Sequence, residues 1–483
     1  MMNARKARNT AHDAMVQERQ SEDATWSCCG WVCSSAPEMY KHIAISHGDI
    51  LQQRTLQFQE RSAQQPKLDE SALEFMTRRA HKYASDPINL DCSCDPSKGT
   101  VILFYVYLPI SHPLDLAKLH KLWSEELNFY GKVKVATEGI NATLAGSSES
   151  IAMYIDRLTS HPEFQSLELF QPLPSASETD QISLEERRFK FFKPTEGCRH
   201  VFDEVISIKV VEEICPLGAP ELNVYNDPEN KRGKLTPKEF HQKLKELEGN
   251  DDVVILDVRN YYESSIGRFP GAITPPIRKF SSFKDYVTRN KSQFAGKTIL
   301  SYCTGGIRCE KATSYLRQSL GSDEDVQPSQ VLMLEGGIHN YLEWIKHEGM
   351  AKDSLWLGKN YVFDARQSLG LEGPTTTSDT EQVVDKLISS CQACGRPCAR
   401  YVKCDGFGCH KLVIACPSCS SAVSSSKSGL FCCVDCHEMG EGVHEYVISG
   451  QTSKPGTIRV KRGICKCEQE RRKELGVEKI NCT

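Results

Sequence analysis

The stretch Cys303-Thr304-Gly305-Gly306-Ile307-Arg308-Cys309-Glu310-Lys311 constrains this chain more than any other. The apolar run Thr298-Ile299-Leu300-Ser301-Tyr302 precedes it and reads as a buried strand. A helical pattern follows, with Ala312, Tyr315, Leu316 and Leu320 on one face. Cys303 is thereby placed on a short loop between a strand end and a helix start. Backbone N–H groups at a helix start lack partners and point outward, which favours an anion and lowers a thiol's pKa. Gly305 and Gly306 allow the loop to bend so that its amides converge. Arg308 adds a fixed positive charge. The alternative is a buried cysteine at a strand-to-helix turn, but two glycines and an arginine have no packing reason to stand there.

Four residues, Thr304 to Ile307, separate Cys303 from Arg308. Phosphatase loops, with one residue more, wrap a tetrahedral phosphate, so the tighter ring here suits a thiolate or persulfide. Upstream, Val253-Val254-Ile255-Leu256-Asp257-Val258-Arg259 reads as a buried parallel strand, followed by Asn260-Tyr261-Tyr262-Glu263 and by Ile266-Gly267-Arg268-Phe269-Pro270-Gly271-Ala272-Ile273. Downstream, Val331-Leu332-Met333-Leu334-Glu335-Gly336-Gly337-Ile338 reads as a last core strand and its glycine turn. Together these segments resemble the rhodanese domain, the sulfurtransferase fold. The resemblance implies supporting roles for Asp257 and Arg259, which would tie the strand end to its neighbouring loops.

A narrower resemblance covers more of the chain, from about residue 98 to about residue 440. The Thr304–Lys311 loop, the Glu138-Gly139-Ile140-Asn141 turn, and Trp356, Gly358, Val362, Phe363, Asp364 and Arg366 are similar to the bacterial rhodanese-containing tRNA uridine hydroxylases. The chain resembles an animal relative of that family with an added N-terminal finger. The resemblance implies oxygen-dependent hydroxylation of carbon 5 of the wobble uridine in tRNA, with Cys303 as nucleophile. Two other readings stand beside it. One is sulfur transfer through a Cys303 persulfide, with a sulfur donor or acceptor as partner and Cys309 as a resolving thiol. The other is a rhodanese scaffold without catalysis, which the retained Cys303 and Arg308 oppose.

The chain has 483 residues, enough for roughly three or four domains. Its net charge of -4 makes no global case for nucleic acid, so any RNA contact must be local. No apolar run approaches the roughly 18 residues of a membrane span, and Met1 to Gln20 lacks an apolar signal core. The cysteines, 22 in all, cluster in pairs, which points to metal binding in a reducing compartment, the cytosol or nucleus. No organic cofactor is expected.

The expected fold is a multidomain α/β and α+β chain. Residues 1–24 are expected to be disordered, 25–50 to be finger-like, and 51–97 to form a linker with a helix from Ser71 to Tyr83. Residues 98–215 read as a β-α-β-β-α-β ferredoxin-like, acylphosphatase-like domain, whose last strand falls near Val205 to Val211. Residues 216–234 read as a linker and 235–350 as the rhodanese domain with a central parallel sheet. An extension and linker over 351–380, a cysteine-rich zinc module over 381–445 and a basic tail over 446–483 complete the chain. In the tail, Arg459, Lys461, Arg462, Arg471 and Arg472 are interleaved with acids and read as a solvated charged helix, with phosphate contact as the alternative.

The C-terminal cysteines form four pairs: Cys391/Cys394, Cys404/Cys409, Cys416/Cys419 and Cys433/Cys436. Eight thiolates make two tetrahedral zinc sites. Pairing first with third and second with fourth gives a cross-brace; sequential pairing fits the spacing equally. Cys398, Cys432 and His437 are spare candidates. So short a segment with few large apolar residues needs metal to fold. Near the N-terminus, Cys28, Cys33, His42 and His47 are the expected ligands of a further zinc, with Cys29 as substitute for Cys28. Eight residues lie between Cys33 and His42, where DNA-reading fingers have about twelve. The spacing therefore supports zinc more than DNA reading. The total expectation is about three zinc ions.

Overall fold

The computed structural model describes residues 4–19, 25–64, 92, 94–165, 167, 170, 183–202, 206–321, 328–371, 387–406, 409, 411–420, 429–438, 470, 471 and 473. The chain divides into two units, Met1–Glu74 and Phe75–Thr483. The expected helix from Ser71 to Tyr83 lies outside the described residues, as does most of the basic tail. Of that tail, Arg471 donates from Nη1 to the Pro276 carbonyl at 2.8 Å.

Within the first unit, residues 4–19 correct the expectation of disorder for that stretch. Ala4–Gln17 is a helix. Ala7, Ala11 and Met15 recur every four residues and are fully buried, and Ala11, Met15 and Val16 join Cys33, Met39, Ile43 and Leu51 in a small core. The polar average of the segment hid this narrow apolar stripe. The hairpin Trp26–Cys28 and Trp31–Cys33 follows, then helices Ala36–Ser46 and Gly48–Gln64. Ser35 caps the first of these through its side chain, and a proline stands in the first turn.

In the second unit, strands Gly99–Tyr107, Tyr130–Ala136 and Gly139–Ser147 carry the ferredoxin-like domain. Helices Pro113–Leu127 and Ser148–Ser160 cover one face of its sheet, over a core that includes Phe104, Trp123, Phe129, Leu144, Ile151 and Tyr154. The expected strand near Val205 to Val211 forms, as Ser207–Val210, but it does not hold the closing position. The strand Thr195–Glu196 pairs antiparallel with Gly99–Tyr107 at one edge, while Ser207–Val210 pairs parallel with Tyr130–Ala136 at the other. The fourth ferredoxin-like position is thus filled by two residues, too few to show a period in sequence.

The rhodanese sheet is fully parallel in the order Lys234–Leu235, Gln330–Leu334, Thr298–Tyr302, Val253–Asp257. Its continuous apolar runs bury both faces, as parallel strands between helices require. The expected linker before it is a packed strap. Cys215, Leu217 and Ala219 are buried in the rhodanese core, and Asn230 is buried with its side-chain amide on Glu310 O at 2.9 Å and Ser314 Oγ at 2.8 Å. Apolar residues spaced between Pro and Gly read as loop in sequence, although they anchor the strap. The cysteine-rich module pairs Tyr401–Lys403 with Leu412–Ile414. It meets the rhodanese domain where the Tyr401 hydroxyl donates to Tyr262 O at 2.6 Å. No helix among the described residues is long and apolar enough to cross a membrane.

Candidate active site and metal centres

Cys303 follows directly on the strand Thr298–Tyr302, and the helix Ile307–Leu320 starts four residues later, with Gly306 as its N-cap at φ 100°. A side chain at Gly306 would lie 2.6 Å from the Tyr105 hydroxyl, so only glycine meets both the backbone and the space. The loop is held from below by the glycine turn after the last core strand. Ile338 N–H donates to Cys303 O at 2.9 Å and His339 N–H to Thr304 O at 3.1 Å. Gly337, at φ 69°, admits this approach, since a Cβ there would stand 2.4 Å from Cys303 O.

The sulfur is fully buried, and Gly306 N–H donates to it at 3.1 Å. Burial pushes the thiol up. The Cys309 thiol, the Arg308 charge and the amides of Cys309 and Gly306 outweigh it and bring Cys303 down to about 6. Burial and the donation to Cys303 together push Cys309 well above the ordinary thiol range. Cys309 is therefore a donor to the anion. A Cys309→Ala chain should trap Cys303 with iodoacetamide at a higher pH midpoint than wild type, read at the Cys303 peptide by mass spectrometry. An unchanged midpoint would remove Cys309 from the cradle.

Arg308 does not face the sulfur alone. Its Nη1 and Nη2 donate to Glu263 at 2.5 and 2.6 Å, and Nη2 also donates to Thr304 Oγ1 at 3.0 Å. Thr304 Oγ1 in turn donates to Glu263 at 2.9 Å. Glu263 is fully buried. Asp257 and Arg259 form a separate buried pair at 2.6 Å, with Arg259 also on Gly267 O at 2.6 Å and Ser264 Oγ on Asp257 at 2.9 Å. They brace the first signature. Ile307 presents its carbonyl to the Tyr107 hydroxyl at 3.2 Å.

The ferredoxin-like domain supplies the wall over the loop. Leu103 lies 3.0 Å from the position of a Gly305 Cβ, and the Tyr105 hydroxyl donates to Glu310 at 2.7 Å. Lys311 is fully buried and pairs with Glu138 at 2.9 Å and Glu213 at 2.8 Å. Glu138 also accepts from Ile214 N–H at 2.7 Å, and Asn141 Nδ2 donates to Ile214 O at 3.1 Å. The Glu138–Asn141 turn and the Cys303 loop, distant in sequence, are joined by this clasp. Lys193 lies buried over the Tyr105 ring at 5.6 Å, and burial brings its ammonium down to about 8. Phe363, 46 % exposed, takes the Arg308 guanidinium over its ring at 5.8 Å. The partners Glu263, Lys311, Glu138 and Phe363 all stood inside the quoted motifs. Leu103, Tyr105, Lys193 and Glu213 carried no such signal.

Residues 99–214 match the UPF0176 acylphosphatase like domain, 240–343 the rhodanese-like domain and 357–437 the rhodanase C-terminal domain. A tRNA uridine(34) hydroxylase of Staphylococcus carnosus (strain TM300) is 32 % identical over 354 residues, which cover 73 % of this chain and 94 % of that protein. The chain belongs to the tRNA uridine(34) hydroxylase family. Another member, from Onion yellows phytoplasma (strain OY-M), is 34 % identical over 318 residues, 66 % of this chain and 87 % of that protein. The Shouchella clausii (strain KSM-K16) member is 33 % identical over 315 residues, 65 % of this chain and 82 % of its own length.

Among the described residues, four groups of cysteine and histidine bring their donor atoms within 4.8 Å of one another. Cys391, Cys394, Cys416 and Cys419 form one group; Cys404, Cys409, Cys432 and Cys436 form a second. This is the first-with-third, second-with-fourth arrangement. Cys432 takes the place expected for Cys433, with its sulfur 3.3 Å from Cys436 Sγ and 3.7 Å from Cys409 Sγ. Cys398 and His437 are in neither group; Cys398 Sγ accepts from Arg400 N–H and His437 packs on Phe431. Thiolates around zinc at about 2.3 Å stand about 3.8 Å apart, and Cys394 and Cys416 are 3.8 Å apart.

The third group, in the first unit, is Cys28, Cys29, His42 and His47, with Cys28–His47 at 3.1 Å and Cys29–His42 at 3.2 Å. Cys33 is not in it. Cys29 and Gly30 both have positive φ, 45° and 79°, and form the tight turn of the hairpin. That turn carries Cys29 to the histidines, while Cys33 faces the small core and donates to Ser35 O at 3.5 Å. The fourth group is Cys92, Cys94, Cys198 and His200.

Proposed function

We propose that this chain hydroxylates carbon 5 of the wobble uridine of tRNA, with Cys303 as the nucleophile. Membership of the family supports the substrate. The observation that carries the site is the Lys311 clasp, which joins both family motifs around a lowered, amide-bound thiol. An anticodon-loop base is unpaired and can be splayed out of its stack. The thiolate adds at carbon 6 and raises electron density at carbon 5. One atom of molecular oxygen enters at carbon 5, and the other leaves as water with two electrons from a thiol-class reductant. Loss of the carbon 5 proton then expels Cys303 and restores the ring.

Phe363 offers its exposed ring beside Arg308. A base stacked on an aromatic ring contributes about 1–3 kcal/mol. Phe363→Ala should therefore weaken tRNA binding by roughly 5- to 150-fold, measured by filter binding; unchanged affinity would remove it from the RNA surface. Sulfur transfer is the second reading, favoured by the Cys309 thiol placed against Cys303. Mass spectrometry of tRNA after gene deletion separates the two. Loss of hydroxylated uridine supports the first; intact hydroxyuridine with loss of persulfide transfer supports the second.

Zinc is the metal we assign to the two C-terminal groups and to the Cys28 group, as all-sulfur and mixed sulfur and imidazole sets of four suit it. Chelation should release the C-terminal module, and with it the Tyr401 contact to Tyr262, which adjoins Glu263. Activity should fall as metal leaves. Full activity in a metal-free chain would sink this assignment.

A further inference from the structure

We infer a further zinc site in the ferredoxin-like domain, formed by Cys92, Cys94, Cys198 and His200. Its donors come from two segments 106 residues apart. Cys92 Sγ and Cys198 Sγ are 3.5 Å apart, Cys94 Sγ and His200 Nδ1 3.3 Å, and Cys198 Sγ and His200 Nδ1 3.7 Å. All four donor atoms lie within 4.8 Å of one another. A zinc ion with sulfur at about 2.3 Å and nitrogen at about 2.0 Å needs donors about 3.5–3.8 Å apart. The separations match those in the two C-terminal groups. The Cys92–Cys198 distance is far beyond a disulfide's, about 2.05 Å. Three thiolates and an imidazole form a closed set for structural zinc, with no position left for a substrate.

The surroundings explain what a metal would do there. Just beyond Cys94, Asp95 caps a short turn that leads into the strand Gly99–Tyr107. Cys198 and His200 follow the two-residue edge strand Thr195–Glu196, which holds that long strand by only the pairs Thr100↔Glu196 and Val101↔Thr195. So short an edge gains little from its own ladder. A metal bridging the two segments would lock it. The same segment carries Arg199 over the Tyr130 ring at 5.2 Å and Phe202 under Lys132 at 5.7 Å, and Lys132 donates to Phe363 O at 3.2 Å. The clamp is thus linked to Phe363 through Phe202 and Lys132. A Cys-x-Cys and a Cys-x-His, each short and far apart, show no zinc spacing in sequence.

The test uses the full chain purified with its metal under reducing conditions. Cys94 is exposed, so as a free thiol it should react at once with N-ethylmaleimide. Bound to zinc, it should react slowly until a strong chelator is added, when Cys92, Cys94 and Cys198 become labelled together, as read by peptide mass spectrometry. In parallel, His200→Ala should carry one zinc ion fewer per chain than wild type, while His200→Cys should restore the wild-type count. Immediate labelling of Cys94 in the native chain, a Cys92–Cys198 disulfide in the digest, or equal zinc in wild type and His200→Ala would each overturn the site. Because the readout is metal and thiol protection, its failure leaves the uridine reading untouched.

Discussion

Replacing Cys303 by Ser should abolish uridine hydroxylation and leave fold and metal content unchanged. The substitution changes one atom inside a cradle whose other members stay in place. Gly306 N–H, at 3.1 Å from the sulfur, can bond a hydroxyl oxygen as well. The supporting bonds from Ile338 and His339 reach backbone carbonyls of the loop and do not depend on the side chain. What the variant loses is the anion. The site brings the Cys303 thiol down to about 6, so wild type is largely thiolate at neutral pH, whereas a serine hydroxyl stays protonated in the same ring of donors. The expected loss is about 10³-fold or more, the scale of removing a nucleophile from a group of residues that act as one. It is measured as hydroxylated uridine formed in tRNA by purified enzyme, with circular dichroism and zinc analysis as controls. Activity in wild type should rise with pH through a midpoint near 6. A Cys303→Ser chain that still forms hydroxyuridine at a similar rate would remove the nucleophile from the mechanism.

The parts of this site that sequence made legible are those whose chemistry is local. The strand Thr298–Tyr302 and the helix after Gly306 are set by an apolar run, two glycines and a helical period, all within one short window. The pairs Cys391/Cys394, Cys404/Cys409 and Cys416/Cys419 were equally plain. What stayed hidden depends on tertiary contact. The carboxylate that takes the Arg308 charge is Glu263, 45 residues upstream, and no local pattern says which acid an arginine will meet. The Cys92 group joins segments whose own spacings are too short to form a motif. Cys29 displaces Cys33 through turn geometry: the positive-φ turn at Cys29 and Gly30 carries Cys29 to the histidines, while Cys33, paired with Trp26 across the hairpin, faces the small core. The helix Ala4–Gln17 packs through alanines and a methionine, a stripe too narrow to shift the composition of its segment.

Arg308→Ala is expected to cost stability as well as activity, because Glu263 holds the guanidinium in a bidentate grip at 2.5 and 2.6 Å with its own side chain wholly buried. Removing one partner of such a pair leaves a buried charge uncompensated, a cost of about 3–5 kcal/mol. The thiol responds too. Arg308 is among the groups that bring Cys303 down, so its loss should raise the pH midpoint of Cys303 alkylation. Glu263→Gln should act with the opposite sign on the thiol. It deletes a negative charge close to the loop, frees the Arg308 charge to act on the sulfur, and leaves an amide oxygen able to accept from Thr304. A Glu263→Leu/Arg308→Met double variant separates the two effects. Replacing both charges with apolar groups of similar size is often neutral for stability, yet the thiolate still lacks its cation. The unfolding transition should then return toward wild type while the Cys303 midpoint stays high. If Arg308→Ala and Glu263→Gln move the midpoint in the same direction, the Arg308 charge is not what holds the sulfur anion, and the cradle must be ascribed to Cys309 and the loop amides alone.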